Sequence, residues 1–447
     1  MSPRVAVVTG DDLATTLAGP GIRAWNMAGA LASQEGGGHD VVLATTGRAA
    51  LHHSQADVRS VADEAAAREL VTWCDVLVFQ GLLLDHHPFV ADADVPIVVD
   101  LYDPFHLEQL ERTRRQPATR DQVVREVTAI VGEQLLRGDF FLCASERQRD
   151  FWVGHLAALG RVNARTYDAD PSLDALLAVA PFGVPADPPL PGPSIKGGVP
   201  GVGADDRLVL WAGGVYDWLD PLTVVRAVDR ARRQRDDVRL LFLGMGHPGE
   251  GESAMAQQVR DLAGELGLTG AHVFFNDAWV PYDERARWLL SADVGVSAHL
   301  RHVEAAYAFR TRILDYLWAG VPVVTTEGDT LSDAVATRGA GLAVAPGDDA
   351  AMAAALLRVL DDASLASASA TNARALAAEL TWPRVLEPLA TFCRAPRRAP
   401  DLADPVLGPQ LAAARREQGQ LRRGWRRDAG VAISRTVGRL RRRLPRP

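Results

Sequence analysis

Short runs of continuous apolar residues, separated by segments of helical periodicity, recur along most of this chain. Hydrophobicity without alternation indicates strands buried on both faces, as in parallel sheets covered by helices. The pattern therefore predicts an α/β chain with two Rossmann-like parallel sheets of six strands each. The predicted strands are 5–8, 41–44, 76–79, 96–101, 140–143, 177–181, 207–212, 239–243, 272–275, 294–297, 321–325 and 342–345.

A segment at 185–204 divides the two series, with six prolines and five glycines in twenty residues. Such a segment supports neither a full strand ladder nor a helix, so it is predicted to be a linker. The predicted domains are then 1–184 and 205–380, followed by a short helix at about 382–393. Residues 394–447 are predicted to form a proline-rich connector and a basic tail.

Composition excludes several classes of protein. No run of about 18 apolar residues exists, and the amino terminus lacks a signal-peptide pattern, so we expect a cytoplasmic protein. The three cysteines, Cys74, Cys143 and Cys393, lie far apart and are expected to be buried thiols. Lys196 is the only lysine, which disfavours both P-loop nucleotidases and pyridoxal-phosphate enzymes.

Charge is concentrated at the carboxyl terminus. Residues 411–447 hold twelve arginines against two acidic residues, a local balance of +10, while the remaining residues carry −18 of the total of −8. Ile433, Val437, Leu440 and Leu444 fall at helical spacing among the arginines, a pattern typical of a helix on an anionic membrane surface. A solvated basic tail is the alternative. Nucleic-acid binding is disfavoured by the acidic remainder of the chain.

Residues 304–324 combine a predicted helix with charged side chains near its start. Arg310 and Arg312 lie where helix N–H groups and basic side chains together bind phosphate, and Asp315 lies one turn later, where a carboxylate can accept hydrogen bonds from sugar hydroxyls. The alternative is an ion pair of Arg312 with Asp315 on an ordinary helix.

Two motifs follow predicted strands of the first domain. Gly19, Gly21 and Arg23 come after the first strand, where glycines let a ligand phosphate approach the backbone, although a flexible loop explains them equally. Tyr102 and Asp103 follow the fourth strand and are candidate acid–base or sugar-contacting groups. Because Asp103 precedes a proline, a simple turn is the alternative.

Two further patterns in the second domain are weak. Gly244 opens a GxGxxG match after the second strand, but the ribose-binding acid expected about 20 residues later is missing, so a turn at the rim of a nucleotide site is the better hypothesis. His299, His302 and Glu304 are spaced too loosely for a metal site and are expected to be solvated loop residues. No metal or cofactor is expected.

The residues from about 4 to 392 resemble the retaining glycosyltransferases of family four, which have the GT-B fold of two domains facing a cleft. The motifs that carry the resemblance are ADVGVS (292–297), RTRILDYLWAGVPVV (310–324) and GAGLAVAPG (339–347), with weaker support from Gly19–Arg23, 181–184 and Trp382. The resemblance implies that a nucleotide-diphosphate sugar binds the second domain, that an acceptor enters from the first domain, and that the short helix near 382–393 crosses back to the first domain.

Individual residues depart from the family pattern. Asp315 matches the ribose-binding acid, but Tyr307 stands where the donor-sugar acid is expected, and Glu304 is the nearest acid. The loop with Gly213 and Gly214 lacks the family's phosphate-binding Arg and Lys. Arg310 and Arg312 are therefore predicted to replace them, with the base near Asn276, Asp277 and Trp279.

The sequence thus predicts a glycosyltransferase that moves a sugar from a nucleotide-diphosphate sugar to a carbohydrate or lipid-linked acceptor, with polysaccharide or glycolipid synthesis as the setting. Its basic tail would place it at the inner face of the cell membrane. Two alternatives keep the fold: a nucleotide-sugar epimerase, and a non-catalytic scaffold.

Overall fold

The computed structural model describes residues 2–14, 17–247, 251–278, 280–281 and 284–428. The chain divides into two compact units. Unit 1 takes in the residues up to Phe182 together with the described residues from Trp382 onward, and unit 2 is Gly183–Thr381. Trp382 packs on Phe182 with ring centroids 4.8 Å apart, so the chain re-enters unit 1 at the tryptophan. Among the described residues, no helix is long and apolar enough to cross a membrane.

Unit 1 contains a seven-stranded parallel sheet of order β3-β2-β1-β4-β5-β6-β7. Six of its strands match the predicted ones, and β3 was missed because its sequence, DVRS, is polar and only partly buried. The strands are β1 (Arg4–Thr9), β2 (Asp40–Thr45), β3 (Asp57–Ser60), β4 (Val76–Phe79), β5 (Ile97–Asp100), β6 (Phe140–Cys143) and β7 (Leu177–Val179).

Helices cover both faces of this sheet, and the strand residues between them form an apolar core. Cys74, Cys143 and Cys393 are free and buried, as expected from their spacing. The helices of the first segment are α1 (Gly19–Ala32), α2 (Glu64–Trp73), α3 (Leu83–His86), α4 (Phe105–Arg112), α5 (Pro117–Arg137), α6 (Glu146–Ala158) and α7 (Ala164–Ala169), with a 3₁₀ turn at Pro88–Asp92.

The segment after residue 394, predicted as a proline-rich connector and a basic tail, is largely helical in its described part. A long helix there, α19, packs along α5, and its Arg422 donates to Asp85 and to Glu133, 2.8 Å from Glu133 Oε1. Prolines mark the ends of these helices rather than disorder. The carboxyl-terminal helices are α16 (Trp382–Val385), α17 (Glu387–Arg394), α18 (Pro400–Ala403) and α19 (Leu407–Asp428). The predicted apolar stripe at 433–444 lies outside the described residues.

Unit 2 contains a six-stranded parallel sheet of order β12-β9-β8-β13-β14-β15, and all six strands were predicted. A two-stranded antiparallel hairpin, β10–β11, accompanies it. The strands are β8 (Arg207–Trp211), β9 (Val238–Phe242), β10 (Gly246–His247), β11 (Gly251–Glu252), β12 (Val273–Phe275), β13 (Val294–Ser297), β14 (Val323–Thr326) and β15 (Gly341–Val344).

The proline- and glycine-rich segment at 185–204 has neither helix nor strand and belongs to unit 2. Ile195 and Val202 are buried there, and Lys196 Nζ lies 2.6 Å from Asp293 Oδ2. The segment is therefore packed. The helices of unit 2 are α8 (Pro221–Ala231), α9 (Ala254–Glu265), α10 (Arg285–Leu290), α11 (Val303–Tyr307), α12 (Thr311–Ala319), α13 (Thr330–Thr337), α14 (Asp349–Asp361) and α15 (Ala363–Glu379).

Each sheet changes its winding direction once. In unit 1 the reversal lies between β1 and β4, and in unit 2 it lies between β8 and β13. Open parallel sheets bind ligands outside the carboxyl ends of the strands at such a reversal, because the flanking loops run in opposite directions and leave a crevice. The loops after β8 and β13 are therefore the first place to look for a site in unit 2.

A buried ion pair fixes α18 to the rest of unit 1. The guanidinium of Arg161 binds Asp401, with Nε 2.6 Å from Oδ2, and neither side chain has solvent exposure. Replacing Asp401 by alanine leaves a buried arginine without its counter-ion, so we expect a loss of about 3–5 kcal/mol in the free energy of unfolding of unit 1.

The matched control is Glu64→Ala, which removes the exposed i,i+4 pair with Arg68 and should cost about 0.5 kcal/mol or less. Chemical denaturation followed by fluorescence measures both changes. Equal, small losses for the two variants would show that the carboxyl-terminal segment adds nothing to unit 1.

Candidate active site

Arg312 of α12 binds the backbone of a glycine turn that follows β8. Arg312 donates from Nε to the carbonyl of Ala212 and from Nη2 to the carbonyl of Gly214, 2.6 Å away. Gly213 has φ of +95°, a conformation that favours glycine, and a Cβ on Gly214 would lie 2.6 Å from the ring of Tyr216. Both glycines are thus required by the shape of this turn.

The positive charge of Arg312 has no carboxylate partner. Its guanidinium lies over the ring of Trp211, 4.2 Å from the centroid, and among the described residues it donates only to backbone carbonyls. Burial lowers the pKa of Arg312 to about 10, so the side chain remains a cation at neutral pH. No described acceptor binds its Nη1 group. A positive charge with spare donors therefore lies beside the glycine turn at the switch point.

Arg310, predicted to balance the same diphosphate, is arranged differently. Its two terminal nitrogens donate to both carboxylate oxygens of Glu304, at 3.0 and 2.7 Å, and both residues are buried. A bidentate pair of this kind neutralises both charges. Arg310 and Glu304 are therefore bound to each other in this structure, and their predicted contacts with a diphosphate and a donor sugar stay predictions.

Asp315 lies one turn after Arg312 but does not pair with it. Its Oδ1 accepts from Nε of Arg285 at 3.1 Å, and the Arg285 guanidinium stacks on Trp318, 4.6 Å from the centroid. The carboxylate keeps about a third of its surface exposed, at 32%. It thus remains accessible to a ligand at this edge of unit 2, and the predicted i,i+3 pair with Arg312 is wrong.

The sequence analysis missed Tyr316, which joins the two strands at the switch point. Its hydroxyl lies within hydrogen-bond distance of the carbonyls of Leu210 (2.7 Å) and Val296 (3.0 Å), which share its single proton, and accepts from the N–H of Ala212. A Cβ on Gly295 would lie 2.4 Å from the tyrosine ring, which explains the glycine in the ADVGVS motif. A buried tyrosine facing a strand glycine was the signal available in the sequence.

His299 and Asp329 form a buried polar pair after β13 and β14. His299 is 1% exposed, so the prediction of a solvated loop histidine is wrong. Burial, with Arg310 and His302 adding to it, lowers the pKa of His299 to about 3, and burial raises the pKa of Asp329 to about 6. Opposite shifts of this kind at the end of a sheet are frequent in functional sites. Within the described part of the chain, no group of His, Cys, Asp and Glu is arranged as a metal site.

In the described part of unit 1, a carboxylate already binds the first turn of α1, where a phosphate was predicted. This helix begins at Gly19 itself, and the N–H of Gly21 donates to Oδ2 of Asp11 at 3.0 Å. A carboxylate thus occupies the position predicted for a diphosphate. Arg23 is fully buried and pairs with Asp100 at 2.7 Å, and its predicted role in donor binding stays a prediction.

Tyr102 and Asp103 lie beside that ion pair. The ring of Tyr102 covers the guanidinium of Arg23, 4.8 Å from the centroid, and burial together with Asp103, Asp100 and Asp11 raises the pKa of Tyr102 well above its ordinary value. Its hydroxyl therefore stays protonated and cannot act as a base at neutral pH. Asp103 turns the chain into α4, with its carbonyl accepting from the N–H of Phe105.

The remaining predicted donor residues lie near the glycine turn or outside the described chain. Gly244 follows β9, and a Cβ there would lie 3.8 Å from the carbonyl oxygen of Gly213, so the two glycine loops are neighbours. Asn276 donates to Leu243 and to Ala278 carbonyls. Trp279 lies outside the described residues.

Comparison with known proteins relates this chain to glycosyltransferases. Residues 206–362 match the family described as "Glycosyl transferases group 1". A curated D-inositol 3-phosphate glycosyltransferase from Stackebrandtia nassauensis is 29% identical over 270 residues, which cover 59% of this chain and 56% of that protein. The match thus spans little more than half of that relative.

Solved structures show the same fold at low sequence identity. Sucrose-phosphate synthase from Thermosynechococcus elongatus superposes with a TM-score of 0.62 at 17% identity, covering 88% of this chain and 98% of that one. HepE from Anabaena, solved with UDP-glucose, gives 0.63 at 14% identity, with 87% and 98% covered. Trehalose-6-phosphate synthase OtsA gives 0.62 at 15% identity, with 88% and 100% covered. The fold is GT-B.

The raised pKa of Asp329 makes the stability of unit 2 depend on pH. The folded chain binds this proton more tightly than the unfolded chain does, so the carboxyl group destabilises the fold progressively as the pH rises from about 4 to about 6. Asp329→Asn stays neutral and keeps a cap for α13. The difference in melting temperature, variant minus wild type, should therefore be larger at about pH 7 than at about pH 4.

Asp362→Asn is the matched control, because Asp362 caps α15 in the same way but has a lowered pKa. Because the pKa of that carboxyl is lowered on folding, the difference from wild type should change little between about pH 4 and pH 7, and in the opposite direction. Scanning calorimetry at the two pH values measures both variants. A constant difference for Asp329→Asn would contradict its raised pKa.

Proposed function

We propose that this chain, which carries a group 1 glycosyltransferase domain in a GT-B fold, moves a sugar from a nucleotide-diphosphate sugar to an acceptor and keeps the anomeric configuration. The observation that carries the proposal is the unpaired charge of Arg312 beside the glycine turn of Gly213 and Gly214. Donor transfer requires stabilisation of a diphosphate as it leaves the sugar, and a preorganised cation supplies it.

The contribution of each group follows from its surroundings. Arg312 would donate from Nη1 to the diphosphate, while its bonds to Ala212 and Gly214 keep the guanidinium in place without any reorganisation. Asp315 would accept from the ribose hydroxyls, held in position by Arg285. The neighbouring loop of Gly244 would lie near the base. HepE binds UDP-glucose in its solved complex, which supports a nucleotide-sugar donor for this fold.

Unit 1 would bind the acceptor, a carbohydrate or lipid-linked molecule. Its edge near Tyr102 carries Asp103 and Asp11, and a carboxylate there could orient an acceptor hydroxyl. Because Tyr102 keeps its proton, it would act as a hydrogen-bond donor rather than as a base. Retention of configuration rests on the resemblance to family four.

Calorimetry against uridine, guanosine, adenosine and thymidine diphosphosugars, followed by incubation of the tightest donor with candidate acceptors, tests the function. Transfer with retained configuration, read by the anomeric coupling in NMR, is the expected result. Epimerised sugar from donor alone would identify an isomerase. Absence of binding to every donor would leave a non-catalytic scaffold.

Arg312→Met should weaken binding of the nucleoside diphosphate about 10- to 100-fold, because a charge-assisted hydrogen bond contributes roughly 1.5–3 kcal/mol. Arg338→Met is the control, since that exposed arginine pairs with Glu379 on another part of unit 2. Titration calorimetry at constant ionic strength compares the two. Equal affinity for wild type and Arg312→Met would refute the assignment.

Asp315→Ala should weaken binding of the nucleoside diphosphate by a similar order while leaving the melting temperature nearly unchanged, because the carboxylate is partly exposed. 2′-Deoxynucleoside diphosphates test the ribose contact more directly. They should bind the wild type less tightly than the corresponding ribonucleoside diphosphates do, whereas the variant should bind both kinds with equal affinity. Unchanged affinity of the variant for the ribose form would contradict the ribose contact.

The tail offers a second proposal, an anionic membrane surface. Since α19 packs within unit 1 up to about Arg422, the part available for membrane contact starts beyond Asp428. Residues 429–447 hold six arginines and no acidic residue. Each arginine near an anionic surface contributes about 1 kcal/mol, an effect that salt weakens.

Deleting residues 429–447 should abolish sedimentation with vesicles of phosphatidylglycerol and phosphatidylcholine. A variant with glutamine at Arg435, Arg439, Arg441, Arg442 and Arg443 keeps the apolar residues and is the matched control for charge. Both proteins should lose binding, and the wild type should ignore vesicles of phosphatidylcholine alone. Undiminished sedimentation of the deletion protein would rule out the tail.

A further inference from the structure

Three buried polar atoms at the carboxyl ends of β13 and β14 have no hydrogen-bond partner within the described part of the chain. They are Oγ of Ser297, Nε2 of His299 and Oδ2 of Asp329, on side chains that are 1%, 1% and 0% exposed. A buried polar atom left unsatisfied costs about 1–3 kcal/mol, so three in one place call for an explanation. None of them belongs to the contacts assigned above to the nucleotide.

The rest of the cluster is well ordered by hydrogen bonds. The hydroxyl of Thr326 accepts from the N–H of His299 at 2.9 Å and lies 3.1 Å from its Nδ1. Oδ1 of Asp329 accepts from the N–H groups of Leu331 and Ser332 at 2.8 and 2.9 Å. His299 Nδ1 is 3.7 Å from Asp329 Oδ2, which is too long for a hydrogen bond. Both side chains are therefore fixed on one side only.

A glycine in the loop after β14 lies next to the ring of His299. Gly328 has φ of +123°, and a Cβ at that position would lie 3.6 Å from His299 Nε2, so any side chain here would fill the space in front of the ring. A hydrogen bond with the backbone carbonyl of Glu327 raises the pKa of His299, so this carbonyl also lies beside the ring.

The chemistry of the three atoms selects the ligand group. Asp329 Oδ2 repels an anion, so a phosphate is excluded, and it requires a hydrogen-bond donor. A hydroxyl group can donate to Asp329 and also accept from or donate to His299 and Ser297. A molecule with several adjacent hydroxyls therefore fits the cluster, whereas an apolar group or a phosphate does not.

The position of the cluster relates it to Arg312 through α12. The hydroxyl of Tyr316 in that helix lies 3.0 Å from the carbonyl of Val296, the residue before Ser297, and accepts from the N–H of Ala212, whose carbonyl Arg312 binds. With a diphosphate on Arg312, the group attached to the diphosphate would reach past the neutralised Arg310–Glu304 pair towards β13 and β14. That group is the donor sugar.

We propose that His299 and Asp329, with Ser297, bind hydroxyl groups of the donor sugar and so determine which sugar is accepted. This assignment rests on the proposed transferase function. In this assignment the three residues bind the sugar in place of Glu304, which is paired with Arg310. The three residues are specificity-determining and take no part in the chemistry of transfer.

Calorimetry with the nucleotide sugar that binds most tightly, and with its own nucleoside diphosphate, separates the sugar contribution from that of the nucleotide. His299→Gln and Asp329→Asn should each weaken binding of the nucleotide sugar roughly 10- to 100-fold while leaving the diphosphate within about twofold. Donors that lack a single sugar hydroxyl should bind the wild type less tightly than the complete donor does. For at least one of these donors, a variant should bind it and the complete donor with equal affinity.

Ser297→Ala removes one oxygen and is a second test if the other variants fold poorly. A weakening of sugar and diphosphate binding by the same factor, or no weakening of either, would overturn the assignment while leaving the transferase proposal standing. Absence of wild-type binding to every nucleotide sugar would refute the proposed function and this assignment with it.

Discussion

The arrangement of unit 2 depends on how Arg312 is held, partly buried and without a carboxylate partner among the described residues. A guanidinium in such a place needs acceptors, and it finds them in the backbone of the turn after β8, so its hydrogen bonds define the path of that turn. The backbone path of this loop requires glycine at positions 213 and 214. Four residues after Arg312 in α12, the hydroxyl of Tyr316 joins β8 to β13. One short helix thus connects the strands of the switch point and supplies the charge beside it.

Arg310 and Arg312 are close in sequence but differ in what they can bind, because a carboxylate neutralises only the charge of Arg310. Arg310 meets a carboxylate on both terminal nitrogens, while Arg312 meets only carbonyls. The same reasoning applies to unit 1, where Asp11 occupies the first turn of α1 and Asp100 neutralises Arg23. In the described part of unit 1 these groups are thus already bound, and Arg312 of unit 2 is the charge that we propose for a leaving diphosphate.

Local patterns in the sequence predicted much of the fold. Apolar runs located twelve of the strands because burial on both faces is a property of each strand by itself, whereas the polar edge strand β3 carries no such signal. The site was predicted less well, because partners of buried charges are set by tertiary packing. Arg23 and Asp100 are 77 residues apart, and Arg161 and Asp401 are 240 apart, so no spacing rule could pair them. His299 and Asp329 were hidden for the same reason.

The central claim is that a nucleoside diphosphate binds the glycine turn through Arg312. A crystal structure of the protein with its tightest nucleotide sugar tests it most directly. The account predicts diphosphate oxygens within hydrogen-bond distance of the Arg312 guanidinium and next to Gly213 and Gly214, with the Arg310–Glu304 pair intact. A diphosphate bound at the first turn of α1, or on Arg310 after its separation from Glu304, would contradict it.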